Sequence, residues 1–406
     1  MATQAGMNMA RFHDFDALRG FAMLLGILLH AGVFLVPVEY WPVHEAWAWE
    51  TPPEANVYAW ILSVIHGFRM PLFFLLSGFF TALLWQSRGL RRLWRHRVER
   101  LGLPLLAGMF TVVPAIVWLE AGADFTPLDW LLAWLGGLHH LWFLWYLLLI
   151  AAAFLVAVRL GLTFRHPAWW LLVPLTVAPQ YVMHELAFGP DTEDGVIPAG
   201  RVFAYYAIFF AFGVFFRQRE IAVRRWWAAA LVPSLLLLLP AGVALLYDEG
   251  FQYAGAPWVW GVAAVVQVAF AWLMCFGSMG LFRWIFARER FWVRYLSDAS
   301  YWLYLTHLPL VIGAQMVLVT WPISIHLKFL LISTTIVAGL LVFYQVGVRY
   351  TMIGTVMNGP RTRRGAGRPP HGAPPGSRRV RGQRLKFLAP GEGDHAGFRR
   401  DRRART

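Results

Sequence analysis

Residues 11–32 read RFHDFDALRGFAMLLGILLHAG. The stretch begins as a charged approach (Arg11, Asp14, Asp16, Arg19) and becomes an apolar helix, which His30 then interrupts. His30 follows Asp16 by fourteen residues, about 21 Å along an α-helix axis. A bilayer's hydrocarbon core is about 30 Å thick. One end of the segment is therefore wet and charged, while an ionisable imidazole sits deep in the lipid slab. Such a group is costly there and marks a functional site by default.

The rest of the chain reads the same way. Of 406 residues, 58% are hydrophobic, 22 are Trp and only 14% are charged. That balance excludes a soluble domain of this length and marks an integral membrane protein. The single cysteine, Cys275, lies in an apolar run, so no intrachain disulfide forms and the redox compartment is not legible. The apolar run Ala17 to Pro37 is longer than a signal core and has no small-residue cleavage site behind a basic start, so it is expected to remain as a helix. The net charge of +14 is concentrated at one end: residues 361–406 hold 14 Lys+Arg against 3 Asp+Glu, a surplus of 11. The division expected is a membrane domain over 1–356 and a disordered Arg/Gly/Pro-rich tail over 357–406. The tail is read as a solvated, topology-setting segment that meets anionic lipid, with no nucleic acid expected as a partner.

Ten apolar segments are long enough to span: 16–38, 57–85, 101–120, 138–158, 167–184, 201–217, 226–247, 257–283, 298–320 and 324–348. Each is read as a helix, because lipid offers no partner to an unpaired backbone group. The fifth carries Pro174 and Pro179 and is expected to kink. Acidic loops alternate with basic ones. Glu39, Glu45, Glu50 and Glu54 follow the first span without a base, and Arg88, Arg91, Arg92, Arg95, Arg97 and Arg100 follow the second. Glu185 and Asp191 follow the fifth, Arg217 and Arg219 the sixth, Asp248 and Glu249 the seventh, and Arg283 and Arg288 the eighth. The positive-inside rule then predicts an all-α protein of ten transmembrane helices with both termini cytoplasmic.

The span cores are nearly free of charge, and the exceptions are His30, His66, Arg69 and His307. Lys328, Asp16 and Arg19 lie near span ends, where long side chains reach the interface. The four deep residues fall at the middle or outer part of the membrane and are expected to converge on one cavity. A lone histidine in a span is more often a satisfied interhelical hydrogen bond than a site; three with an arginine at similar depth favour a site. Arg69 at mid-membrane must be paired, and it suits an anionic substrate group. A histidine near neutral pKa suits general base or acyl-carrier chemistry. Asp16 is too far from His30 to orient it and is expected to pair with Arg19, three residues on. Arg97 and Arg100, at i,i+3 beside the third span, suit a phosphate-bearing donor on the cytoplasmic side. Ser77-Gly78 is read first as close helix packing, with a direct role for Ser77 second. No metal-ligand spacing, nucleotide-cradling glycine loop or serine nucleophile elbow occurs.

Four blocks carry a resemblance: FDALRGFAMLLGILLHAG (15–32), FRMPLFFLLSGFF (68–80), RVERLGLP (97–104) and SYWLYLTHLPL (300–310), with HHLWFLWYLL (139–148), which includes Trp142, as a fifth. In that order they resemble membrane-bound acyltransferase family 3, and within it the branch associated with succinylation of periplasmic glucans. The resemblance implies an O-acyltransferase of the bacterial inner membrane that holds no permanent cofactor. Its donor is a cytoplasmic acyl-CoA, succinyl-CoA expected and acetyl-CoA the other candidate, and its acceptor is a hydroxyl of an extracytoplasmic glycan. His30 matches the family's essential first-span histidine, Arg97 and Arg100 its Arg-x-x-Arg pair, Asp16, Arg19 and Gly20 its opening motif, and Tyr301, Tyr304 and His307 its ninth-span motif. Arg69 is expected to take the succinyl carboxylate. A proton-coupled transporter or lipid-linked glycan flippase is the rival reading. It too needs buried His and Arg, but not an arginine pair at a cytoplasmic mouth.

Overall fold

A computed structural model describes residues 12–164, 166–183, 188–247 and 257–358. The basic tail from 359 onward and the loop charges Glu185, Asp248 and Glu249 lie outside the described residues. Among those described, every regular element is helical and none is a strand. The principal helices are α1 (His13–Val33), α2 (Val57–Arg97), α3 (Leu103–Met109), α4 (Val112–Ala121), α5 (Pro127–Gly136), α6 (Trp142–Arg159), α7 (Gly200–Gln218), α8 (Leu239–Tyr247), α9 (Pro257–Ile285), α10 (Phe291–Leu318), α11 (Ile325–Phe343) and α12 (Met352–Asn358).

Eight helical runs among the described residues are long and apolar enough to cross a membrane. One of them, Val57–Ala121, has 65 residues. Straight, it would measure about 97 Å, roughly three hydrocarbon cores. It is not straight. Gly89 takes φ 76°, a left-handed conformation that breaks the helical path. The chain turns back there, so that Arg97 donates to the Ser77 carbonyl at 3.3 Å. The expected segments 57–85 and 101–120 thus share one helical run. The expected span 167–184 differs more. It forms three short pieces, Trp169–Leu171, Leu172–Leu175 and Val177–Tyr181, none long enough to cross. Pro174 and Pro179 each remove a backbone donor from the helical ladder.

Two pairings set the frame. α2 lies against α7, with Gly78 on the Phe210 carbonyl and Gly213 on the Leu75 carbonyl; a Cβ at either glycine would strike backbone. α1 is held between α2 and α10. Its first turn carries Asp14 and Asp16, whose sign suits the positive end of the helix dipole, and its last turn carries His30. The loop leaving α1 is tied down rather than free. The Asn56 amide donates to the Leu35 carbonyl at 2.8 Å while its carbonyl oxygen caps α2 through Tyr58 N–H at 2.9 Å. Lys328, expected at the interface, is instead 4% exposed, with Nζ 2.6 Å from Glu45 and 2.9 Å from the Val319 carbonyl. A carboxylate carried in by the loop makes that burial possible.

Candidate active site

The last turn of α1 brings His30 to His307 of α10, Nδ1 to Nε2 at 2.8 Å. The proton positions follow from the other partners. His307 Nδ1 faces only carbonyls, Tyr304 at 2.7 Å and Leu303 at 3.1 Å, so it carries a hydrogen. In the neutral ring Nε2 is then an acceptor, and His30 must donate to it from Nδ1. The remaining lone pair falls on Nε2 of His30, a partly buried residue. Its neighbours are aromatic and polar: Trp41 lies parallel to it, with ring centroids 5.9 Å apart. In that tautomer the basic lone pair of His30 lies outside the bond between the two rings.

A third ring completes this cluster. His140 lies 5.1 Å from His307 and 6.5 Å from His30, centroid to centroid. Its Nε2 donates to the Leu305 carbonyl at 3.3 Å, its own carbonyl accepts from Tyr304 Oη at 2.6 Å, and its Nδ1 is buried without a partner. Sequence reasoning passed over His140 because it stands at the very start of the fourth apolar segment, where the polar pair His139-His140 reads as a loop. Its signal was the HHLWFLWYLL block itself.

Arg69 of α2 enters from the side. Its guanidinium rests against Gly26, one turn before His30 on α1, where a Cβ would collide with it. It lies within electrostatic reach of His30, His307, Tyr304 and Tyr206. Its Nε is buried without a partner. His66, three residues earlier, lies against Gly189 and the Pro190 carbonyl while still within electrostatic reach of Arg69, and its Nε2 is unpartnered. Of the four deep residues, the structure gathers His30, His307 and Arg69 and leaves His66 outside the ring cluster. Trp142 is buried among the rings of Phe74, Tyr146 and Tyr206. Ser77 Oγ has no partner; its carbonyl holds the Thr81 hydroxyl and Arg97.

The second cluster lies at the other end of α1. Arg19 is 3.5 Å from Asp16 and 3.4 Å from Ser297 Oγ, with its guanidinium over the Phe80 ring. Arg97 and Arg100 are both within electrostatic reach of Arg19. They do not share a ligand. Arg97 is buried on the Ser77 carbonyl and Thr81 hydroxyl, while Arg100 donates to the Met357 carbonyl of α12. Three guanidiniums thus gather where neutral oxygens satisfy two of them, an arrangement suited to a polyanion.

One face of α10 connects the clusters. Ser297, Tyr301, Tyr304 and His307 follow at i,i+3 and i,i+4 spacing and span about 15 Å. Ser297 meets Arg19, Tyr301 Oη donates to the Arg100 carbonyl at 2.6 Å, Tyr304 meets His140, and His307 meets His30. The two tyrosine rings stack in near-parallel planes, 6.4 Å apart. Among the described residues, no group of three His, Cys, Asp or Glu side chains is arranged to hold a metal ion.

Comparison with known proteins bears on the same elements. A family model described as an acyltransferase domain matches residues 12–345, from the first turn of α1 to just past α11. Curated relatives include proteins called glucans biosynthesis protein C from Salmonella paratyphi B, Salmonella dublin and Salmonella enteritidis. Each is 26% identical over 391 residues, covering 86% of this chain and 95% of the relative. No solved structure matches. With the matched region enclosing both the histidine and the arginine cluster, the chain belongs to membrane-bound acyltransferase family 3 and is a multi-pass membrane O-acyltransferase.

Proposed function

We propose that the protein moves a succinyl group from cytoplasmic succinyl-CoA to a hydroxyl of an extracytoplasmic glucan, with acetyl-CoA the alternative donor, and that His30 is the general base. It sits in the bacterial inner membrane with ten spans and both termini cytoplasmic, the arginine cluster inward and the histidines outward. The alternation of acidic and basic loops supports that orientation, and the names of the Salmonella relatives support a glucan acceptor. The observation that carries the reading is the ordered His30–His307 pair, joined by one face of α10 to Arg19 and Arg100, with Arg97 beside them.

In this scheme the CoA phosphates lie on Arg19, Arg97 and Arg100, and the thioester arm runs along Tyr301 and Tyr304 toward His30. His30 Nε2 takes the proton from the acceptor hydroxyl as its oxygen bonds to the thioester carbon. The carbon–sulfur bond then breaks, and the departing CoA thiolate takes that proton back from Nε2. His307 fixes the ring that does this and shares the transient positive charge. The same lone pair would serve an acyl-histidine route, in which CoA leaves before the acceptor arrives. Arg69, unpaired at Nε and one turn from His30, receives the distal carboxylate of the succinyl group.

Two experiments test this. His30→Ala should abolish glucan acylation in intact cells at unchanged protein level, and normal acylation in that strain would overturn the assignment. Arg69→Ala should lose succinyl transfer and keep acetyl transfer; equal loss of both would remove Arg69 from carboxylate recognition.

A further inference from the structure

Gln315 lies eight residues beyond His307 on α10, in a stretch whose neighbours are apolar, and it is fully buried. Its amide faces two groups of opposite kind. The Trp41 indole N–H can only donate, and it lies 2.9 Å from Oε1. The His30 carbonyl can only accept, and it lies 2.8 Å from Nε2. Those partners fix the amide's orientation without ambiguity. His30 needs such a donor because α1 is ending. The Phe34 N–H, which a continuing helix would give to the His30 carbonyl, turns back to Gly32 instead. Gln315 thus supplies the missing bond to the backbone of the histidine itself. With its other end it anchors Trp41, whose ring lies within 6° of the His30 plane.

We infer that Gln315 is a positioning residue for acyl transfer, holding His30 between a capped backbone and a pinned indole so that Nε2 keeps one direction. The inference rests on the general-base reading of His30. The His30 ring has two free torsions, and the bond to His307 constrains only one edge of it. Trp41 restricts the ring face, and Gln315 restricts both Trp41 and the turn from which His30 projects. Attack on a thioester carbon needs the base within hydrogen-bond reach of the acceptor hydroxyl, and small misplacements cost heavily.

The test measures CoA-thiol release by purified protein with succinyl-CoA and a glucan oligosaccharide. Gln315→Leu removes both bonds; Gln315→Glu, assayed at a pH where its carboxyl is ionised, keeps an acceptor for Trp41 and loses the donor to His30; Trp41→Phe keeps an aromatic face and loses the indole N–H. Gln315→Leu is expected to lower kcat about 10–100-fold with the donor KM unchanged, a split that general loosening of the fold would not give. Gln315→Glu should fall as far, because the bond to His30 is the one it lacks. Trp41→Phe should lose less, and adding it to Gln315→Leu should cost nothing further. If Gln315→Leu does not fold, Gln315→Glu and Trp41→Phe decide on the same readouts. Wild-type kcat in the Gln315 variants, or additive losses in the double variant, would overturn the inference. His30→Ala run alongside separates the two failures: activity without His30 defeats the general-base reading, whereas a dead His30→Ala beside a fully active Gln315→Leu defeats only the role of Gln315.

Discussion

The histidine and arginine clusters are built from the same helices, α1, α2 and α10, yet they are held in different ways. At the histidine end each ring of the pair is held from more than one side: His307 by the Tyr304 and Leu303 carbonyls and His30, and His30 by His307 and the flat face of Trp41. At the arginine end two guanidiniums rest on neutral oxygens, Thr81 and the Ser77 carbonyl for Arg97 and the Met357 carbonyl for Arg100. A neutral oxygen holds a guanidinium more weakly than a phosphate does, so on the proposed scheme those contacts would exchange for the donor's phosphates. The contrast teaches a division of labour. On the proposed scheme one end is preorganised for a proton transfer, where reorganisation costs rate, and the other is left exchangeable for a donor that must bind and leave.

The comparison breaks most sharply at His30. His30→Ala should lower turnover by about 10²–10⁴-fold, the usual yield of general base catalysis, while donor affinity measured by titration stays put. A matching loss of donor affinity would mean that the two ends are not separate. The next effect is at His307. His307→Phe removes the acceptor for His30 Nδ1 and is expected to cost about 10²-fold in kcat, whereas His307→Gln keeps a side-chain acceptor and should recover part of it. Equal losses would leave the tautomer without a role. At the other end Arg100→Ala should raise the donor KM by about 10–100-fold, the worth of a charge-assisted hydrogen bond, with kcat restored at saturating donor. The smallest effect on turnover is expected at Lys328, which ties the 34–56 loop to α11. Lys328→Met strands Glu45 in the interior and should destabilise the fold by about 3–5 kcal/mol, read by thermal unfolding in detergent, while Glu45→Leu with Lys328→Met together should recover most of that.

The histidine end was the more legible in sequence. An ionisable residue in an apolar run is conspicuous because lipid penalises it, so His30, His307 and Arg69 stood out before any contact was known. His66 stood out for the same reason and yet faces Gly189 and Pro190, since depth along a helix says nothing of direction around it. Gln315 is uncharged and escaped a survey of ionisable groups, and His140 sat at a segment boundary. Apolar length also hid a break within one expected span. Residues 167–184 are hydrophobic enough, but two prolines divide them into short helices, and no sum of hydropathy registers a missing N–H. The basic loop after residue 85 predicted a reversal before the next span but not its place at Gly89, because charge reports which side of a membrane a loop occupies and not the path it takes.

The most direct measurement is the tautomer of His30. Nitrogen-15 spectra of histidine-labelled protein at neutral pH, with His30→Ala and His307→Ala samples to assign the two rings, report which nitrogen carries the hydrogen. The account predicts Nδ1–H on both rings and a bare Nε2 on His30. A His30 ring protonated at Nε2 and bare at Nδ1 would contradict it, because the nitrogen left for the acceptor hydroxyl would then be the one turned toward His307.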